Sequence, residues 1–164
     1  MAERNELVIT RVFDAPRKLV FKVWSEAAHL AEWWGPPGSA IEIKKLEFRP
    51  DGAFHYRMSI PDRGEIWGLF VYREIVESER IVFVSSFCDK DGNIILSPFF
   101  KVWPLEILNT ITLVEQGGKT TMTLRGGPIN ATEEELEAYE SMIGSMQQGF
   151  GGTFDRLDTY LAKI

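Results

Sequence analysis

The chain has 164 residues, 45% hydrophobic and 26% charged, a globular balance with enough length for one domain spanning 1–164 around its own core. The formal net charge of −6, with basic residues only in pairs such as Arg17-Lys18 and Lys44-Lys45, argues against a nucleic-acid-binding surface. Cys88 is the only cysteine, which excludes an intrachain disulfide and a cysteine-based zinc site, and no apolar run approaches the length of a membrane span.

The opening Met1-Ala-Glu-Arg-Asn-Glu is polar and carries no signal-like run; with one cysteine, a cytoplasmic setting is expected. Leu7–Phe13 reads as a strand. Asp14-Ala-Pro16 then leads into a short amphipathic helix over Arg17–Trp24, with Asp14 placed to cap it and Leu19, Val20, Val23 and Trp24 on its apolar side. A second short helix is expected over Glu26–Trp33 with Ser25 as its cap. Trp34-Gly-Pro-Pro-Gly38 ends it, because prolines and glycines do not continue a helix.

Ala40–Phe48, Ala53–Ile60, Glu65–Ile75 and Arg80–Cys88 read as four strands separated by turn chemistry at Pro50-Asp-Gly52, Pro61-Asp-Arg-Gly64 and Glu77-Ser-Glu79. The second of these alternates cleanly, with Phe54, Tyr56, Met58 and Ile60 on one face and His55, Arg57 and Ser59 on the other. Asn93–Glu106 breaks the rhythm with Pro98, Phe99, Phe100, Trp103 and Pro104 and reads as a long apolar excursion. Leu105–Val114 and Thr120–Arg125 then form a hairpin about Gln116-Gly-Gly118. Gly126-Gly-Pro128 leads out of it.

Ala131–Ile164 reads as one long helix. Thr132 and Glu135 have the spacing of a capping box, and Leu136, Tyr139, Ile143, Met146, Phe150, Phe154, Leu157 and Leu161 recur along one face. A β-α-α-β-β-β-β-loop-β-β-α order of this kind buries its helix face against a curved antiparallel sheet, an α+β architecture.

The segments Arg11–Trp24, His29–Pro36, Phe48-Arg-Pro-Asp-Gly52, Glu74-Ile75, Glu79–Phe83 and Gly149–Leu161 together resemble the START-like, polyketide-cyclase/lipid-transfer (SRPBCC) superfamily. The nearest branch is similar to the C-terminal domain of the Aha-type activator of heat-shock-protein-90 ATPase. The resemblance implies a helix-grip fold: a curved sheet around the long C-terminal helix, two short helices after the first strand, and a cavity between sheet and helix. The chain departs from the pattern at Phe150, where the family usually has Trp, and in the apolar character of Ile95–Leu105.

On that reading a small hydrophobic or amphipathic molecule is the expected ligand. The candidate cavity residues are Trp34, Phe54, Tyr56, Trp67, Phe83, Phe87, Phe99, Trp103, Met122, Met142, Met146 and Phe150. Core packing accounts equally well for Met142, Met146 and Phe150, simple core is the alternative for Trp67, Phe83, Phe87 and Met122, and Trp24, Trp33 and Trp34 either pack the helical pair onto the sheet or line the cavity mouth. The excursion around Phe99, Phe100 and Trp103 is a loop on its own small core, a lid, or a patch for homodimer formation. A chaperone-associated or other protein-interaction role is the second reading, and a cyclase- or hydratase-like enzyme the third. No catalytic residue, metal ligand set or cofactor motif emerges: His29 and His55 are the only histidines, and neither HExxH nor a nucleophile elbow is present.

Overall fold

A computed structural model describes residues 6–164, so positions 1–5 of the polar opening lie outside the described residues. Strand β1 (Leu7–Phe13) is followed by helices α1 (Arg17–Ser25) and α2 (Ala27–Trp33). Strands β2 (Ala40–Leu46), β3 (Ala53–Ile60), β4 (Gly64–Val76), β5 (Arg80–Phe87), β6 (Glu106–Gln116) and β7 (Lys119–Ile129) come next, then helices α3 (Glu133–Ser141) and α4 (Ile143–Leu161). Among the described residues the strands form one antiparallel sheet in the order β1-β7-β6-β5-β4-β3-β2. Because β1 and β2 occupy opposite edges, the α1–α2 pair has to cross the sheet, and it helps close one face of it.

The sheet curves around α4. Register shifts at Ile43/Lys45 in β2 and at Tyr72/Glu74 in β4 add local twist. The β6–β7 hairpin turns on Gly117 and Gly118, both at positive φ (63° and 80°), which a two-residue turn between right-twisted strands requires. Both hairpin arms run longer than their threonine-rich centres indicate: Gly126-Gly-Pro128 lies inside β7, paired with β6 through Asn109↔Gly126 and Ile107↔Pro128.

The core lies between the concave face and α1, α2 and α4. Phe54 and Met58 of β3, Phe70 and Tyr72 of β4 and Ile81 and Phe83 of β5 are buried there. They meet Val20, Val23 and Trp24 of α1, Leu30 and Trp33 of α2 and Phe154, Leu157 and Leu161 of α4. Trp24 and Trp33 both pack on Phe154, at centroid distances of 6.3 and 6.5 Å.

Three local expectations are corrected. Ala131–Ile164 is not one helix: α3 ends at Ser141, and Met142 (φ −102°, ψ 0°) separates it from α4. The capping box at the start of α3 does form, with Thr132 accepting from the Glu135 backbone N–H and Glu135 returning the bond. Neither Asp14 nor Ser25 caps a helix. Pro16 occupies the N-cap of α1 and Glu26 that of α2, neither with a side-chain cap bond, and the Ser25 hydroxyl donates to the Lys22 carbonyl instead. Pro16 is extended at φ −68° and ψ 152°, and its backbone carbonyl accepts from the Leu19 and Val20 N–H groups at the start of α1.

Candidate functional site

Strand alternation builds the floor of a cavity. Residues two apart share a face, so Ile66, Gly68 and Phe70 of β4, Phe83, Ser85 and Phe87 of β5, and Ile107 and Asn109 of β6 point the same way. Tyr56 of β3, Leu124 of β7 and Leu7 of β1 extend that floor across the sheet. Trp24, Trp34, Tyr139, Met146 and Phe150 form the opposing wall, and Trp103-Pro104 of the excursion closes one end. The cavity, open on one side, has a volume of about 230 Å³. Half-buried Ile66, Phe87, Trp103 and Met146 mark its approach from solvent.

The walls are largely aromatic and mutually supported. Phe70 stacks on Phe83 at 4.1 Å and meets Trp34 edge-on at 5.4 Å, while Phe150 stacks on Phe154 at 5.7 Å. Such pairs add about 0.5–1.5 kcal/mol each beyond area burial, so the walls hold their shape without a filler. Gly68 belongs to the same construction. A Cβ there would run into the ring and hydroxyl of Tyr56, its cross-strand partner, so glycine lets the phenol lie flat across β4.

Among the described residues, no Asp, Glu, Lys, Arg or His lines the cavity. Its polar groups are of two kinds. Some are already engaged: Asn109 Nδ2 donates to Ser85 Oγ at 2.9 Å and to the Ile107 carbonyl at 3.1 Å, and the Tyr139 hydroxyl donates to the Gly126 carbonyl at 2.9 Å. Others are not. The indole N–H groups of Trp24 and Trp34 are buried and have no acceptor, whereas neighbouring Trp33 donates to the Val23 carbonyl at 3.1 Å. Burial pushes the Tyr56 hydroxyl up to about 12. The Trp34 indole opposes that rise without forming an aligned hydrogen bond to the phenol.

Trp34, Tyr56, Phe83, Phe87, Trp103, Met146 and Phe150 of the candidate residues are brought together around this space. The other five are not. Phe54 and Met122 are fully buried in the core away from the cavity. Trp67 is on the opposite sheet face, beside His55 at 5.4 Å and under Lys44 and Arg57. Phe99 packs on Phe87 from outside and carries Arg63 over its ring, and Met142 is spent at the α3–α4 junction. Register is the reason for Trp67: it pairs with outward-facing Arg57, and cross-strand partners share a face. That signal was present in the alternation of β3. Ser85, midway between Phe83 and Phe87, was equally readable. Tyr139 was readable too, from the helical face it shares with Met146 and Phe150, whereas Leu7, Asn109 and Leu124 had no local signal.

The excursion divides in two. Trp103 stacks on Phe100 at 4.7 Å and packs on Tyr139 at 5.6 Å, covering the cavity end. Ile94, Ile95 and Leu96 stay exposed. The histidines serve packing: His55 Nε2 faces the Asp89 carbonyl at 3.1 Å, and His29 Nδ1 meets the Tyr160 hydroxyl at 2.6 Å. Cys88 is buried, and burial raises its thiol to about 11. Among the described residues no group of His, Cys, Asp and Glu has the geometry of a metal site, and no helix is long and apolar enough to cross a membrane.

The family described as Activator of Hsp90 ATPase homolog 1-like protein matches residues 14–162. Among solved structures, protein Ms6760 of Mycobacterium smegmatis is 26% identical, with a TM-score of 0.77 over 95% of this chain and 90% of that one. A protein of Arthrobacter aurescens is 25% identical, with a TM-score of 0.77 over 96% of this chain and 86% of its own. The AHSA1 protein of Silicibacter pomeroyi, at 17% identity and a TM-score of 0.68 over 96% and 98%, shares the fold. Comparison with curated proteins gives no significant match.

Proposed function

The chain belongs to the Activator of Hsp90 ATPase homolog 1-like family, and from that membership together with the cavity we propose that it binds a small, predominantly hydrophobic molecule between sheet and α4. The observation that carries this reading is an uncharged space of about 230 Å³ walled by Trp34, Phe70, Phe83, Met146 and Phe150. Pockets for drug-sized ligands run to about 300–1,000 Å³, so the occupant is a compact molecule of two or three fused rings or similar bulk. Met146 and Phe150 are the contacts that α4 supplies, and methionine adapts to irregular apolar shapes. Among the described residues the walls carry no carboxylate, imidazole or amine that could form an acid–base pair, which favours binding over catalysis.

The test is a titration with 1-aminoanthracene, a neutral three-ring fluorophore that brightens in apolar surroundings. Saturable one-to-one binding is expected, and Met146→Trp, which fills the space from α4, should weaken it at least about tenfold with the fold retained. Absence of saturable binding, together with native mass spectra that show no retained molecule after incubation in cell extract, would sink the proposal.

A second reading rests on the exposed Ile94-Ile95-Leu96 stretch, which suits self-association or docking on another protein. The family name points to a chaperone as one such partner. Light scattering across a concentration series and pull-down with heat-shock-protein-90 test it; a monomer that retains no chaperone counts against it.

A further inference from the structure

Two buried donors without acceptors in an otherwise apolar cavity are a chemical specification. Trp24 and Trp34 are 3% and 9% exposed, and neither indole N–H has a partner. Both rings line the cavity, with their centroids 5.7 Å apart. Leaving a buried donor unmade costs about 1–3 kcal/mol, and an indole N–H has no acceptor capacity with which to bind anything but an acceptor. Phenylalanine at either position would keep the packing without that cost. The fold meets the same demand at Trp33, whose N–H reaches the Val23 carbonyl from the neighbouring helix.

From these observations we infer that the ligand is a neutral, flat molecule bearing a carbonyl-type hydrogen-bond acceptor, which it directs toward the indole N–H groups of Trp24 and Trp34. This deepens the proposed hydrophobic binding and rests on it. Neutrality follows from the walls: with no Lys, Arg or His among the described residues that line the cavity, a buried carboxylate or phosphate would have no counter-charge there. Flatness follows from the aromatic walls, whose Phe70–Phe83 stack lies within 18° of coplanar. A carbonyl oxygen has two lone pairs, so one group can accept from both indoles. The Tyr56 hydroxyl, beside the Trp34 indole and laid across Gly68, can donate to the same acceptor or to a neighbouring oxygen.

The experiment compares three probes of nearly equal shape: fluoren-9-one, fluorene and fluorene-9-carboxylate. Affinities are measured by calorimetry, and the five tryptophan indole N–H resonances are followed in ¹H–¹⁵N spectra of the wild-type protein. Fluorenone is expected to bind about tenfold more tightly than fluorene, the carboxylate still more weakly, and only fluorenone should move the Trp24 and Trp34 indole protons downfield. Trp34→Phe and Trp24→Phe should bring the fluorenone-to-fluorene affinity ratio from about ten toward one, whatever either change does to both affinities together. The wild-type spectra decide the matter even where a variant folds poorly. Equal binding of fluorene and fluorenone with unmoved indole resonances overturns the acceptor assignment while the cavity reading survives. Binding of neither overturns both. Tighter binding of the carboxylate overturns neutrality. Indole protons already downfield in the free protein and unchanged by fluorenone mean that a resident water satisfies them, which also overturns the inference.

Discussion

At the scale of single residues, the cavity depends on small groups placed under large ones. Gly68 is the clearest case. It sits opposite Tyr56 in the β3–β4 register, and the phenol crosses the space where a side chain would stand. Gly68→Ala therefore forces the Tyr56 ring out of its place on the cavity floor. A loss of about 1–3 kcal/mol is expected, the usual cost of overpacking, readable as a lower urea midpoint. An unchanged midpoint with an unmoved Tyr56 ring would refute this account. Trp67 teaches the complementary lesson. Its size and neighbours in a strongly apolar strand suit the wall, yet its side chain is on the far face under Lys44 and Arg57. Strand β4 is apolar on both faces, with Ile66, Gly68 and Phe70 alternating with Trp67, Leu69 and Val71. Its own sequence therefore cannot say which set points inward.

At the scale of elements, α4 is held by specific ties and softened by its own composition. Arg156 is the main tie. Its guanidinium donates to the carbonyls of Gly35 and Pro36 at 3.0 Å and of Glu32 at 3.3 Å, and to Ser39 Oγ at 3.1 Å. It thereby fastens α4 to the bend that carries Trp34. Arg156→Ala removes these charge-assisted bonds, although Ser39 still donates to the Pro36 carbonyl, and is expected to cost about 1.5–3 kcal/mol in chemical denaturation. Arg156→Lys should recover less than half of this, because an ammonium cannot reproduce the fork. Full rescue by lysine would show that charge alone matters. Arg11 forms a second tie, pairing with Asp155 and donating to the Gly151 carbonyl at 3.3 Å.

The glycines of α4 are not equivalent. A Cβ at Gly152 would meet Pro37 Cδ at 2.9 Å, so close approach of the bend requires glycine there. Gly144, Gly149 and Gly151 face open space. Replacing these three with alanine should stabilise the protein by about 1 kcal/mol per site, while Gly152→Ala should destabilise it. Thermal melts of the four single variants make the comparison, and a uniform response at all four would refute it. The stretch they weaken carries Met146 and Phe150, so a glycine-softened segment forms the helical wall of the cavity.

At the scale of the whole molecule, buried weak acids set the alkaline limit. Cys88 is raised by burial from an ordinary value of 9.0 to about 11, and Tyr56 from 10.0 to about 12. Burial also raises Tyr72 and Tyr139. In each case the folded state favours the neutral form. Between the ordinary and raised values the unfolded chain binds fewer protons than the native one, so stability falls as pH rises. The contribution is complete below about pH 9 and is lost from there through about pH 12. Urea midpoints should fall steadily above about pH 9, and Tyr56→Phe should flatten the upper part of that decline. A midpoint constant to about pH 11 would contradict the burial of these groups.

Legible in the sequence were the order and positions of the strands, the two short helices after the first strand, the capping box at Thr132 and Glu135, and the aromatic supply for the cavity. These are local properties: alternation, turn chemistry and helical periodicity act over a few residues and leave their mark in the chain. It also carried enough family-specific pattern for the helix-grip fold to be expected from the resemblance. Tertiary structure alone decided which face of β4 points inward, because register belongs to a pair of strands rather than to one. It alone broke the C-terminal helix at Met142 and brought Leu7, Asn109, Leu124 and Tyr139 to one surface from distant parts of the chain. It alone left the Trp24 and Trp34 donors without acceptors, a property of what surrounds a side chain and not of the side chain itself.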